Sequence, residues 1–281
     1  MKIIDHSKTL QQIIPLLLTL VILGFLTVVL YFYLYFLNFF PTREKVVLIA
    51  RPVDILVGVT IYLKTAIDFA IFMGRLMSTN PGWRNRVAIE IGTAFGNALG
   101  TLVVIALWVA FKEVEILLAL MVFIASMVLF ELAHGGLEHF ANWEGQGRIK
   151  HIVYQLLHRF LDTVTTVFDP FLSRIMPDLG AKLKGRAGLP WGALFSFSFT
   201  VPFILGLDDF AGYVPLFNVI NVFGFSVGVF LAHTILNIGL FLSPGRTISA
   251  VKNEYVSFLG TLAFIALALF GFFEVWRVLV H

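Results

Sequence analysis

Ten ionisable side chains stand inside apolar stretches or at their ends: Asp54, Lys64, Asp68, Glu90, Glu131, His134, Asp208, Asp209, His233 and Glu274. At a bilayer centre each costs at least about 2.5 kcal/mol on insertion scales, so each needs a partner or a cavity. Two carboxylates close together in low dielectric repel, and one takes up a proton or the pair shares a cation. That is cation–proton exchange chemistry, because binding the metal expels the proton. Asn97, Asn218, Asn221 and Asn237 lie in or beside the same stretches and add amide oxygens. Carboxylates with amides make a hard-oxygen site for Ca²⁺, Mg²⁺ or Mn²⁺, and His134 or His233 would shift preference toward Mn²⁺, Zn²⁺ or Cd²⁺.

The elements that must position these groups are set by composition. Of 281 residues, 59% are apolar and only 13% charged, about half the charge of a soluble domain, and mean hydropathy is +0.91. A water-soluble enzyme, a nucleic-acid-binding protein and a disordered chain are excluded. Cysteine is absent, so disulfide and thiolate chemistry are absent too. Seven stretches reach the ~20 residues of a spanning helix, near 13–38, 46–73, 87–111, 114–137, 190–212, 214–242 and 255–280. The first is too long for a signal peptide and reads as an uncleaved span. Continuous rather than alternating apolarity favours helices over a barrel. The expected fold is an all-α, seven-span polytopic membrane protein.

With the N-terminus in the cytoplasm, fourteen Lys and Arg fall on the inner side against four outside. The positive-inside rule then places the C-terminus outside, in an inner or plasma membrane. Residues 141–188 form the one long connection, read as a cytoplasmic amphipathic helix on the inner leaflet, stopped near Pro170.

The chain also resembles itself. Thr65-Ala66-Ile67-Asp68-Phe69-Ala70 matches Gly206-Leu207-Asp208-Asp209-Phe210-Ala211; Gly92 and Gly96 match Gly224 and Gly228; Phe123-Ile124-Ala125 with Glu131 matches Phe264-Ile265-Ala266 with Glu274. The order is kept, with Asp68 and Asp209 separated by 141 positions and the glycines by 132. Each copy holds three spans, an odd number, so the second enters the membrane inverted, as in many secondary transporters. The expected organisation is an N-terminal transmembrane helix in 1–40, a first three-helix repeat in 46–140, the connection 141–188 and a second repeat in 189–281. In this 3+3 arrangement Asp68 and Glu131, and Asp209 and Glu274, become two related carboxylate pairs. Simpler pairings are available: Asp54 with Arg51, and Lys64 with Asp68 at i+4.

Two other classes compete. Glu131-Leu132-Ala133-His134, followed by Glu138-His139, places acids and a histidine on one helical face, and Glu-x-x-His is a ligand pair of di-iron bundles. No second such pair exists, and His151, His158 and His233 would have to be recruited for a metal-dependent membrane enzyme. A structural or assembly subunit of a membrane complex leaves the intramembrane acids unexplained.

The acidic motif at Asp68, followed after a basic loop by Ile89-Glu90-Ile91-Gly92-Thr93-Ala94-Phe95-Gly96, resembles the LysE-type transporter superfamily, which includes cadmium-resistance, TerC and manganese-exporter families. Gly206-Leu207-Asp208-Asp209-Phe210 resembles the second copy of its motif. The resemblance covers spans two to seven. It implies a 3+3 inverted fold that exports or exchanges cations, with Asp68 and Asp209 as ligands and Asp208 and Asn97 as further candidates. Phe69 stands where several of these families carry a second polar residue. The combined expectation is a divalent-cation transporter working against protons, without an organic cofactor or nucleic-acid partner, in which a homo-oligomer is allowed. Glu131, Glu274 and Glu90 serve as proton-coupling groups or secondary ligands, and His134 and His233 as softer metal ligands.

Overall fold

The computed structural model describes residues 8–41, 45–175, 188–208, 213–217 and 219–280, with 8–12, 68, 169, 171–175 and 205–208 described by backbone alone. Among the described residues the chain is helical, without strands. Five helices are long and apolar enough to cross a membrane: α1 (Lys8–Leu37), α4 (Trp83–Phe111), α5 (Glu115–Gly136), α8 (Val222–Leu242) and α10 (Glu254–Val280). This is a polytopic integral membrane protein. A sixth span is reached if α2 (Pro52–Thr65) and α3 (Ile67–Thr79) count as one, but a 66° bend separates them. The remaining expected span holds α7 (Trp191–Asp208), of which Trp191–Ile204 is a shorter apolar helix, while 209–212 lie outside the described residues. Among the described residues the expected seven spans are therefore five, or six with the bent pair.

The chain divides into two compact units. Met1–Ala106, Gly180–Leu207 and Asn221–Ile248 form the first; Leu107–Leu179, Asp208–Ile220 and Ser249–His281 form the second. These units cut across the two consecutive sequence repeats, taking helices from both.

In the first unit α1 buries Ile22, Leu26, Leu30 and Leu34, one row at i+4 spacing, and turns Phe25, Phe32 and Phe36 outward. Outward apolar rows of this kind suit contact with lipid. Pro52 opens α2 at a position where its missing N–H costs nothing. Asn221 caps α8: its Oδ1 accepts from Gly224 N–H at 3.0 Å, while its Nδ2 donates to the Val47 carbonyl at 2.7 Å.

Two helix pairs in this unit share one contact scheme. Small residues let membrane helices approach backbone to backbone. Gly224 of α8 faces Arg51 and Asp54, and Gly228 faces the Ile55 carbonyl. Gly92 of α4 faces Phe195 and Ser198 of α7, and Gly96 faces the Phe199 carbonyl. The matched glycines thus meet matched partners, 51/195, 54/198 and 55/199, in two parallel pairs. The self-similarity seen in sequence is carried by a repeated packing contact.

In the second unit α5 and α10 pack antiparallel. Gly271 sits against Ser126, and Thr261 Oγ1 donates to the Ala133 carbonyl at 3.4 Å. A 3₁₀ segment, Leu137–Gly145, turns the chain into α6 (Gly147–Ile175). α6 does not run away from the spans. Its rings meet those of α5 in antiparallel order, His158 with His134, Phe160 with Phe130 and Phe168 with Phe123. Nor does it stop near Pro170; with Phe168 also stacked on Phe272, the helix continues to Ile175. Lys150 ties its start to α10, 3.4 Å from the Glu254 carboxylate. Burial opposes the Lys150 charge, but the Tyr255 hydroxyl and Glu254 outweigh it and hold the ammonium above its ordinary pKa. α9 (Pro244–Val251) is a short helix ahead of α10.

Candidate functional site

The largest concentration of buried polar side chains in the first unit lies where α1, α2, α4 and α8 meet. Glu90, Thr93, Asn97 and Thr101 come from α4, and His233, Thr234 and Asn237 from α8, all buried. Their spacing by three and four puts each set on one helical face. Several of the hydroxyls are turned back onto their own helices: Thr93 donates to the Glu90 carbonyl at 3.1 Å, Thr101 to Asn97 at 3.1 Å and Thr19 of α1 to Pro15 at 2.9 Å. Polar groups in lipid must be satisfied internally.

His233 is the centre of the cluster. Its Nδ1 lies 2.6 Å from the Tyr62 hydroxyl of α2, and its Nε2 is 2.9 Å from Asn237 Nδ2. An amide nitrogen only donates, so Nε2 accepts; a neutral ring then carries its proton on Nδ1 and donates to Tyr62. Phe69 of α3 covers the ring at 5.3 Å between centroids. Asn237 Nδ2 also approaches Thr93 Oγ1 at 3.4 Å. The Glu90 carboxyl group lies beside Thr19 and Asn237. No Lys or Arg ion pair to Glu90 is present among the described residues.

A cavity of about 10 Å³ adjoins the cluster, bounded by Thr19 and Leu26 of α1, Glu90 and Asn97 of α4, and His233 and Thr234 of α8. That is about the space of one water molecule. Asn97 Nδ2 and Asn237 Oδ1 are both buried without a hydrogen-bond partner. Orphans of this kind, beside a polar void, are what ordered water usually satisfies.

Tyr62 also stands one turn before the bend between α2 and α3. Its carbonyl accepts from Ala66 N–H at 2.9 Å, the last bond of α2. Helix α3 begins one residue later, so Asp68 occupies its first turn. The side chains of Asp68 and Asp208 lie outside the described residues, as do Asp209 and Asn218 altogether.

Both nitrogens of His233 are taken up by neighbours, which makes it a network member rather than a ligand with an open lone pair. Glu274 is buried on α10 and lies 2.8 Å from Arg277 of its own helix. The same Oε2 lacks a directed hydrogen bond, so the contact is an ion pair of poor alignment. Glu131 and His134 are half-buried on α5, with the His158 ring 6.0 Å from that of His134. Among the described residues no three His, Asp or Glu side chains gather as metal ligands, so the di-iron set is not assembled there. Asp54 pairs with Arg51 at 2.6 Å, as its sequence position suggested.

Sequence reasoning missed Tyr62 and Thr19. Tyr62 had one available signal, a polar tip one turn before an acidic motif, but its partner is 171 positions away. No protein-family model, no curated protein and no solved structure matches the chain.

Proposed function

We propose that this protein is a secondary transporter that moves a divalent cation across its membrane in exchange for protons, with Asp68 and Asp209 among the cation ligands. The observation that carries the reading is the break at Ala66, which interrupts an apolar span and sets Asp68 in the first turn of the second half-helix. Discontinuous helices are how many transporters expose backbone carbonyls and helix termini to an ion at membrane depth. The repeated glycine contacts support a repeat architecture. Positive-inside counting sets the N-terminus in the cytoplasm of an inner or plasma membrane.

The test is flux into proteoliposomes over Mn²⁺, Ca²⁺, Zn²⁺ and Cd²⁺, reading internal pH alongside. Wild type is expected to move at least one of these ions with an opposing proton flux. Asp68→Asn and Asp209→Asn, which keep shape but lose charge, are each expected to abolish it. Wild-type rates in both variants overturn the ligand assignment, and no flux for any ion overturns the transport reading.

A further inference from the structure

Glu90 presents a carboxyl group buried in the first unit with no ion-pair partner among the described residues. A buried carboxyl without a countercharge is held as the neutral acid or with a bound cation. The surrounding space is one water in size, and among the described residues only Glu90 brings a carboxyl group to it. One carboxylate does not neutralise a divalent ion, whereas one proton neutralises the carboxylate.

Among the described residues, which do not include the Asp68 side chain, the titratable and charged groups around Glu90 are few. α8 brings His233, and α2 brings Tyr62 with Lys64 buried two residues on. α1 brings Thr19 and α7 brings Ser198, neither ionisable at working pH. On α4 itself Arg86 lies one turn earlier, its guanidinium 4.3 Å from the centre of the Phe241 ring.

Resting on the cation-for-proton reading above, we propose that Glu90 is the proton-carrying group of the exchange and that His233, held by Tyr62, receives its proton. The water-sized cavity touches both Glu90 and His233, and Asn97 Nδ2 is positioned to seat a water there. The Glu90 proton moves to that water as a water proton moves to His233 Nε2. His233 ends as the imidazolium, its Nδ1–H still donated to Tyr62 Oη. The water loses one proton and gains one, and Glu90 ends as the carboxylate. For Nε2 to receive a proton, the Asn237 amide must turn over. Its Oδ1, partnerless here, then accepts from Nε2–H. The two orphan amide atoms are thus one seat for water and one acceptor for the other protonation state.

The experiment uses the full-length chain in proteoliposomes. Glu90→Gln, which mimics the neutral acid, is expected to lose cation-driven internal pH change while keeping cation-for-cation counterflow. Asp68→Asn is expected to lose both. Loss of counterflow in Glu90→Gln overturns the proposal by making Glu90 a ligand. Independently of flux, infrared difference spectra across a pH step are expected to show the carbonyl band of a protonated carboxylic acid in wild type, absent from Glu90→Gln. Tyr62→Phe is expected to keep the band but slow its response to external pH. Absence of the wild-type band, or a band unresponsive to pH, overturns the proposal even if no cation is moved; flux failure with a responsive band overturns only the transport reading.

Discussion

His233 Nδ1 and Tyr62 Oη lie 2.6 Å apart and tie α8 to the last turn of α2, immediately before the chain bends. Tyr62→Phe removes the acceptor and leaves a buried ring N–H unsatisfied. The expected cost is about 1 kcal/mol, the scale of one such bond in a membrane protein. Thermal unfolding in detergent should show a lower midpoint with helicity retained; an unchanged midpoint would mean that water replaces the phenol.

The backbone contacts of α2 with α8 and of α4 with α7 should be intolerant of one added methyl. A Cβ at Gly228 or Gly96 would collide with the Ile55 or Phe199 carbonyl oxygen, which cannot rotate away. Gly228→Ala and Gly96→Ala are each expected to cost at least about 1–3 kcal/mol. Gly24→Ala, where nothing lies within 4 Å, is expected to be neutral or stabilising because alanine favours helix. Equal melting behaviour of the three variants would refute the matched-contact scheme.

At the contact of α5 with α10 the obstacle is a side chain instead. A Cβ on Gly271 meets Ser126 Oγ, which donates to the Val122 carbonyl at 2.8 Å. Gly271→Ala should therefore destabilise, and Ser126→Ala should restore most of the loss when combined with it. A double-mutant cycle measures this coupling; simple additivity would count against the contact.

The Arg51–Asp54 pair is asymmetric: the arginine side chain is 57% exposed and the aspartate side chain 2%. Arg51→Ala strands a buried carboxylate, whereas Asp54→Ala leaves a guanidinium in contact with solvent. The arginine substitution is expected to be the more damaging, as removing one partner of a buried charge usually is. Denaturation midpoints of the two variants provide the comparison, and the reverse order would mean that Asp54 has another cation.

The spans α1, α4, α5, α8 and α10 were legible because uninterrupted apolar runs have one physical explanation in lipid. The glycine matches were legible too, since small residues at i and i+4 need a close neighbour, and the neighbours found are themselves equivalent. The break at Ala66 was not, because Lys64 to Phe69 contain neither proline nor glycine and the bend belongs to tertiary context. The Glu90–His233 cluster was visible only as separate residues: contacts spanning more than a hundred positions leave no periodicity. α6 was recognised as amphipathic, but whether its apolar face meets lipid or α5 depends on a turn of the 3₁₀ segment that composition does not encode. Glu274 has Arg277 three residues away, a local ion pair that the sequence carries but that its expected partnership with Asp209, outside the described residues, passed over.

The matched glycine contacts carry a consequence for biosynthesis. α2 waits for α8, α4 for α7 and α5 for α10, so each of these three helices leaves the ribosome without that partner until the last third of the message is translated. Two polypeptides divided within the 141–188 connection would each be incomplete when made alone, yet should find one another when produced in the same cell.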